Sequence, residues 1–161
     1  MTSSKDSDNL VDDIYGKLDA LSDGKELDIT DDMIYDFGER MKGALAHWAQ
    51  PHKQSKGLRM SNIGKPARQL WYESRRDLLD EPSSMKAHMH IKFLYGHLLE
   101  EVLLLLVKLS GHTVTDEQKE VEVDGIKGHM DCKIDGEVVD IKTASNFAFK
   151  KFSEGTLAVD D

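Results

Sequence analysis

The sequence predicts an α+β fold in which a helical N-terminal region and one long helix precede an antiparallel three-stranded β-meander. Two observations lead to this prediction. Apolar residues recur at steps of three or four through the first two thirds of the chain, which is typical of amphipathic helices. Beyond Gly111, the dipeptides Asp124-Gly125 and Asp135-Gly136 separate segments in which apolar and polar residues alternate. Asp-Gly in that setting is the strongest short-range signal for a β-hairpin.

The N-terminal region is predicted to hold two amphipathic helices. Four apolar residues recur at helical spacing in the first: Leu10, Ile14, Leu18 and Leu21. The second helix has Thr30 as a candidate N-cap and ends before Pro51. Residues 1–39 carry three basic and twelve acidic side chains. A charge run of this kind is either a solvated helix face or an arm that mimics DNA or binds a partner protein, and both interpretations stay open at this point.

The middle of the chain is predicted to hold a short helix over 66–72, with Pro66 in its first turn. A long helix follows over about 85–109 and ends at Gly111. Residues 40–92 carry eleven basic and four acidic side chains, although the whole chain of 161 residues has a net charge of −9. The total charge argues against nucleic acid as a partner. The basic stretch, in contrast, suits contacts with phosphate groups.

Three strands are predicted at about 117–123, 126–134 and 137–143. If Asp135-Gly136 is a two-residue turn, Asp131 lies opposite Asp140 and His129 lies opposite Lys142. All four side chains then share one face of the hairpin. Directly opposed carboxylates, with Cβ atoms about 5 Å apart, repel each other. A bound cation, a raised pKa or simple solvent exposure would offset that repulsion.

A third carboxylate, Glu100, lies on the apolar side of the predicted long helix, whereas Glu101 points toward its polar side. A carboxylate among apolar neighbours is costly unless it is paired or bound to a metal. Mg²⁺ prefers a few carboxylate oxygens together with waters. The sequence therefore allows either a metal site at Glu100, Asp131 and Asp140, or an exposed hairpin face and a glutamate at the rim of the helix.

These residues, in this order, resemble the PD-(D/E)XK nuclease superfamily, whose core is a helix bearing an acidic residue followed by a β-meander carrying D…(D/E)-x-K. The matching segments are Gly96-His97-Leu98-Leu99-Glu100, Gly128-His129-Met130-Asp131 and Val138-Val139-Asp140-Ile141-Lys142. The chain is most similar in pattern to RecB-like and lambda-type exonucleases, especially those of tailed phages. Upstream, the segment from Ser61 to Arg68 resembles the serine-glycine-arginine element of RecB-like members. The resemblance covers roughly residues 58–152.

The resemblance implies an acidic helical region over 1–57 and an α/β, restriction-endonuclease-like nuclease core over 58–161. The family core continues with a further helix and strand, so the chain is expected to lack the C-terminal helix and strand of that core. The implied function is a metal-dependent DNA nuclease, an exonuclease of phage-type DNA recombination or degradation. The alternative is a catalytically inactive nuclease-like module that binds DNA or protein.

The resemblance also implies the roles of individual residues. Glu100, Asp131 and Asp140 would be catalytic ligands of Mg²⁺ or Mn²⁺, together with the backbone carbonyl of Ile141. Lys142 would orient the attacking water or stabilise the transition state. Some RecB-like relatives hold an iron–sulfur cluster through cysteines, but the one cysteine here is Cys132, so no cluster is expected. Cys132 is predicted to be a small core residue.

DNA is expected to contact the basic and polar side chains around the proposed site. The candidates are Ser61, Arg68, Arg75, Arg76, His129, Lys150 and Lys151. Trp71 and Tyr72 are candidates for base stacking, although the helical spacing favours a core position for Trp71. The sequence contains no signal peptide and no segment apolar enough to span a bilayer, so the chain is expected in the cytoplasm, the host cytoplasm if it is phage-encoded. The sequence leaves the oligomeric state open.

Overall fold

The computed structural model of the protein describes residues 5–51, 58–75 and 85–156. Arg76, a candidate for DNA contact, lies outside these residues. The described helices are α1 (Leu10–Ser22), α2 (Asp31–Trp48), α3 (Ala67–Ser74), α4 (Ala87–Leu109) and α5 (Asn146–Ser153). The described strands are β1 (Val114–Thr115), β2 (Glu120–Val123), β3 (Ile126–His129), β4 (Cys132–Ile134) and β5 (Glu137–Val139). The predicted α+β class is confirmed. Two short 3₁₀ turns lie at Ser7–Asn9 and Met60–Asn62.

The predicted helices α1 to α4 form close to their expected positions. Thr30 caps α2, since its hydroxyl accepts a hydrogen bond from the backbone N–H of Met33 at 3.3 Å. Helix α4 ends just before Gly111, which adopts a φ of 87° that favours glycine. Helix α5, which follows the last strand, is capped by Ser145, whose hydroxyl accepts a hydrogen bond from the N–H of Ala148 at 3.2 Å.

Both predicted hairpins form with two-residue turns. Val123 pairs with Ile126 across Asp124-Gly125, and Ile134 pairs with Glu137 across Asp135-Gly136. All four turn residues have positive φ, as a type I′ turn requires. The register predicted for the second hairpin is therefore correct over its three strand pairs, which end at Cys132 and Val139.

The single three-stranded meander is wrong. The strand predicted over 126–134 is divided at Met130 and Asp131, so that β3 pairs with β2 while β4 becomes the central strand of a sheet ordered β1-β4-β5. The backbone N–H of Gln118 donates to the carbonyl of Asp131 at 2.8 Å, and the N–H of Met130 donates to the carbonyl of Lys119 at 3.1 Å. These bonds continue the register of the β2-β3 hairpin, so the segment between β3 and β4 stays attached to the chain before β2.

The core lies where α4 crosses the β1-β4-β5 sheet. Leu104 and Val107 of α4 pack with Cys132 and Ile134 of β4, and all four are buried. The predicted core position of Cys132 is confirmed. The predicted core position of Trp71 is wrong, because its side chain is 47% exposed. Helix α3 is only eight residues long, and Trp71 packs instead on the guanidinium of Arg75, 4.6 Å from the ring centroid.

Helix α2 packs along α4 and is held there by polar contacts. The Lys108 ammonium lies 3.0 Å from a carboxylate oxygen of Asp36, and the indole N–H of Trp48 donates to the carbonyl of His90 at 2.8 Å. The acidic N-terminal region thus lies against the helix that carries Glu100. Within the described ranges, no helix is both long enough and apolar enough to cross a membrane.

Candidate active site

A cavity of about 630 Å³ opens between α2, α4 and the chain that follows β3 and β5. Five residues predicted from the sequence line it: Glu100, His129, Asp131, Ile141 and Lys142. They come from three separate stretches of the chain. Helix α4 supplies the first, the last residue of β3 and the second residue after it supply the next two, and the segment after β5 supplies the last two. The fold therefore gathers most of the predicted site at one place.

Glu100 is half-buried on the face of α4 that looks into this cavity. Its Oε1 accepts a hydrogen bond from the side-chain amide of Gln118 at 2.6 Å. Burial raises the pKa of Glu100, the negative charge of Asp131 raises it further, and the Gln118 amide works in the opposite direction. A carboxyl whose ionised form is disfavoured by burial and by a second carboxylate is a frequent mark of a functional site.

Asp131 is fixed by backbone groups from two sides. Its Oδ2 accepts a hydrogen bond from the N–H of Ile141 at 2.7 Å, and its carbonyl accepts from the N–H of Gln118 at 2.8 Å. Gln118 thus contacts two of the three carboxyl-bearing residues that line the cavity, Glu100 and Asp131. It adopts a φ of 50°, which is uncommon for a residue other than glycine.

Asp140 does not line the cavity. The strand pairing stops one residue short of it, so Asp131 and Asp140 do not form the strand pair expected from the register. The Asp140 carboxylate instead accepts a hydrogen bond from the Lys142 ammonium at 2.7 Å, and both side chains are largely exposed. This bond raises the pKa of Lys142, so the ammonium stays charged at neutral pH.

The predicted pairing of His129 with Lys142 is wrong. His129 pairs with Glu120 in the β2-β3 hairpin, and its Nε2 lies 3.9 Å from a carboxylate oxygen of that residue. The reason is the division of the predicted second strand, which leaves His129 in the other sheet. His129 still reaches the cavity from β3.

Two of the three predicted acidic ligands are placed to bind a divalent cation together, and the third is not. Glu100 and Asp131 face the same cavity and feel each other's charge, and two carboxylates with several waters are a usual ligand set for Mg²⁺. In the part of the chain that the structure describes, no three His, Cys, Asp or Glu side chains come close enough together to hold a metal ion. Asp140 is the predicted ligand that does not join the other two.

The remaining candidates for DNA contact are spread over the surface. Ser61 is exposed in the 3₁₀ turn Met60–Asn62, which lies against β3. Arg68 is exposed on α3 and Arg75 is exposed directly after this helix, and the Arg68 guanidinium lies 6.0 Å from the ring centroid of Tyr72. On α5, the Lys150 ammonium lies 3.8 Å from Glu154, and the Lys151 ammonium lies 4.9 Å from the ring centroid of Phe147.

Sequence reasoning missed three contributors to the cavity: Gln118, helix α2, and Glu101, which was predicted to point toward the polar side of α4 but lines the cavity. Gln118 lies in a loop without periodicity, and no pattern in the sequence marks it. Helix α2 was assigned to a separate acidic region, yet Arg40, Gly43, Ala44 and His47 line the cavity. Counted from Arg40, the other three lie three, four and seven residues later, which places all four on one helix face. This spacing is visible in the sequence.

No protein-family model matches the chain, and neither a curated protein nor a solved structure matches it significantly.

Proposed function

We propose that this chain is a metal-dependent deoxyribonuclease that hydrolyses phosphodiester bonds on a restriction-endonuclease-like core. The observation that carries the proposal is the convergence of Glu100, Asp131, Ile141 and Lys142 on one cavity. The order of these residues along the chain supports the same class through its resemblance to RecB-like and lambda-type exonucleases. That resemblance favours an exonuclease of phage-type DNA recombination or degradation.

Glu100 and Asp131 would hold Mg²⁺ or Mn²⁺, with the carbonyl of Ile141 as the further ligand that the resemblance implies. Such an ion supplies charge neutralisation at the phosphate and lowers the pKa of a bound water. The raised pKa of Glu100 means that its ionised form is disfavoured by burial and by Asp131. A bound cation would offset this cost, because it favours the ionised forms of both carboxylates, and this supports the assignment.

The chain's own residues orient the site. Gln118 holds one oxygen of Glu100, and the Ile141 N–H holds one oxygen of Asp131, so each carboxylate keeps a second oxygen for other contacts. Lys142 brings a positive charge to the same cavity, where an ammonium stabilises negative charge that develops on a phosphate oxygen. Asp140 acts as a positioning residue in this proposal, because its contact is with Lys142.

One observation favours the alternative, a nuclease-like module that binds DNA or protein without cutting. Asp140, the acid of the D-x-K pattern, is paired with Lys142 and lies outside the cavity lining. A nuclease and a binding module differ in a measurable way, since only the first releases nucleotides from labelled DNA when Mg²⁺ is present.

The test is digestion of labelled linear single- and double-stranded DNA with Mg²⁺, with Mn²⁺ and with EDTA. We expect cleavage that EDTA abolishes and that falls about 100-fold or more in Glu100→Gln and Lys142→Ala, the size of loss typical of one transition-state contact. Asp124→Asn is the matched control, because Asp124 lies in an exposed turn with a φ of 52° that asparagine tolerates. Binding without any cleavage supports the binding module, and full cleavage by both variants overturns the assigned residues.

A further inference from the structure

One wall of the cavity belongs to α2. Arg40 on that wall is already engaged, since it forms ion pairs with Glu101 and Glu117. The Arg40 Nε lies 2.8 Å from Glu101 Oε2, although this buried oxygen lacks hydrogen-bond geometry toward any group in the described ranges. Of the two polar side chains by which α2 lines the cavity, His47 is therefore the one that forms no ion pair with a described residue.

His47 meets His97 of α4 across the cavity wall. The two imidazole rings are edge to face, with centroids 5.7 Å apart and an interplanar angle of 88°. Among residues 5–51, 58–75 and 85–156, neither imidazole has a hydrogen-bonding or ion-pairing partner in the protein. A neutral imidazole carries one N–H donor and one acceptor nitrogen, so this pair offers two donors to a ligand.

The space in front of the pair is open on the α2 side. Gly43 lies one turn before His47, and a Cβ added at Gly43 meets no heavy atom within 4 Å. The cavity of about 630 Å³ falls within the range of roughly 300–1,000 Å³ that is usual for small-molecule sites. A space of this size holds one nucleotide, whereas an intact duplex needs an open groove.

We propose that His47 and His97 bind a phosphate group of one unpaired nucleotide, so that the cavity accepts a single DNA strand and α2 excludes the intact duplex. The inference rests on the proposed function for the choice of DNA as the ligand. Charge decides where the phosphate binds. Glu100 and Asp131 repel an anion, Glu101 is paired with the Arg40 guanidinium, and the two imidazoles and Lys142 offer N–H donors to the anion.

The experiment measures binding of the full chain in EDTA by fluorescence anisotropy, with a labelled 12-nucleotide oligothymidylate and with a duplex of the same length. We expect the single strand to bind about tenfold more tightly than the duplex. His47→Ala and His97→Ala should each weaken single-strand binding about 10- to 100-fold, the effect of one hydrogen bond to a charged group. Binding of the duplex should stay unchanged. His88→Ala is the control, because His88 is exposed on α4 and lies outside the cavity lining.

Two further probes separate a phosphate contact from a structural effect. Gly43→Leu fills the open side of the cavity without altering either histidine and should weaken single-strand binding as much as His47→Ala. Gly43→Ala adds only a methyl group, stabilises the helix by about 1 kcal/mol and should bind like the wild type. An oligothymidylate with uncharged methylphosphonate linkages should bind the wild type and His47→Ala equally.

The outcomes separate this inference from the proposed function. Equal affinity for single strand and duplex, or unchanged single-strand binding by both histidine variants, overturns the histidine-phosphate contact even if the chain cleaves DNA. Selective, histidine-dependent binding of the single strand without Mg²⁺-dependent cleavage supports the contact and rejects the nuclease.

Discussion

The Oδ2 of Asp131 accepts a hydrogen bond from the backbone N–H of Ile141 at 2.7 Å. The strand ladder of β4 and β5 has ended one pair earlier, at Cys132 and Val139. A side chain thus continues the connection between the two segments after the backbone pairing has stopped. This bond fixes the position of one carboxylate of the cavity and brings the chain from Ile141 to Lys142 against it.

Asp131→Ala and Asp131→Asn should separate this structural role from the charge. Alanine removes the acceptor and leaves the partly buried Ile141 N–H without a partner, so we expect a loss of about 1–3 kcal/mol in the free energy of unfolding. Asparagine keeps an acceptor oxygen and should lose less than about 1 kcal/mol, while any Mg²⁺-dependent cleavage disappears in both. Urea unfolding and the cleavage assay check this together, and equal stability of the two variants would contradict the structural role.

Local signals predicted the local structure well. The Thr30 cap, the end of α4 at Gly111 and both Asp-Gly turns depend on neighbouring residues in the chain, and the structure confirms them. The division between β3 and β4 instead separates two sheets whose other strands come from different parts of the chain, β2 for one and β1 and β5 for the other. Alternation of apolar and polar residues continues through the division, so it gives no sign of the break.

The residues of the candidate site show the same difference between local signals and long-range contacts. Register and helix periodicity placed Glu100, Asp131 and Lys142 on faces that do meet at the cavity. They could not place His47, because its contact with α4 depends on how α2 packs, and helix packing is a long-range property. They also placed Asp140 beside Asp131, whereas the local ion pair with Lys142 holds its carboxylate away from the cavity.

Glu100→Gln should stabilise the protein at neutral pH in the absence of divalent cations. Burial, and then the charge of Asp131, raise the pKa of Glu100 above its ordinary value of 4.5. The folded chain therefore keeps this proton to a higher pH than the unfolded chain, and stability falls as pH rises from about 4.5 through the raised pKa. Glutamine does not ionise, so Glu100→Gln avoids this loss of folding stability. We expect the loss to be below about 1 kcal/mol, because solvent partly screens the Glu100 carboxylate.

Thermal unfolding at pH 4 and pH 7.5 checks this sign. The gain in melting temperature at pH 7.5 should be up to about 3 °C, and it should vanish at pH 4, where Glu100 is protonated in the wild type. The exposed Glu122→Gln serves as the control and should show no such difference. A Glu100→Gln variant less stable than the wild type at pH 7.5 would contradict the unfavourable burial of this carboxylate.

His112 should be required for docking α1 on the rest of the fold. Its side chain is fully buried, with Nδ1 2.5 Å from Asp135 Oδ2 and Nε2 3.1 Å from Asp13 Oδ2. Carboxylates only accept, so a ring nitrogen that carries a proton donates to the carboxylate beside it. Leaving buried polar groups without their partners costs about 1–3 kcal/mol. His112→Ala should lower the free energy of unfolding by about that amount and expose α1 to limited proteolysis, whereas the exposed His88→Ala should do neither.

The same cluster should make the protein sensitive to acid. The ammonium of Lys5 lowers the pKa of Asp13, and the backbone N–H of Thr113 lowers that of Asp135, with His112 contributing to both. Their stabilisation is present above the ordinary value of 3.8 and is lost as pH falls below it through the depressed values. Asp135→Asn should flatten the fall in stability below pH 4 in urea unfolding. An unchanged slope would show that this cluster does not govern acid unfolding.

Gly128→Ala should displace the 3₁₀ turn Met60–Asn62 from β3. A Cβ built on Gly128 would lie 2.7 Å from Met60 Cβ and 2.8 Å from its Sδ. Because the Met60 Cβ is close to its own backbone, a rotamer change cannot relieve the contact, and overpacking of this kind costs about 1–3 kcal/mol. Gly16→Ala is the matched control, since a Cβ at Gly16 of α1 meets nothing within 4 Å and the change should stabilise that helix by up to about 1 kcal/mol. Opposite signs of the two changes in urea unfolding are the expected result, and a stabilising Gly128→Ala would show that the turn is not seated on β3.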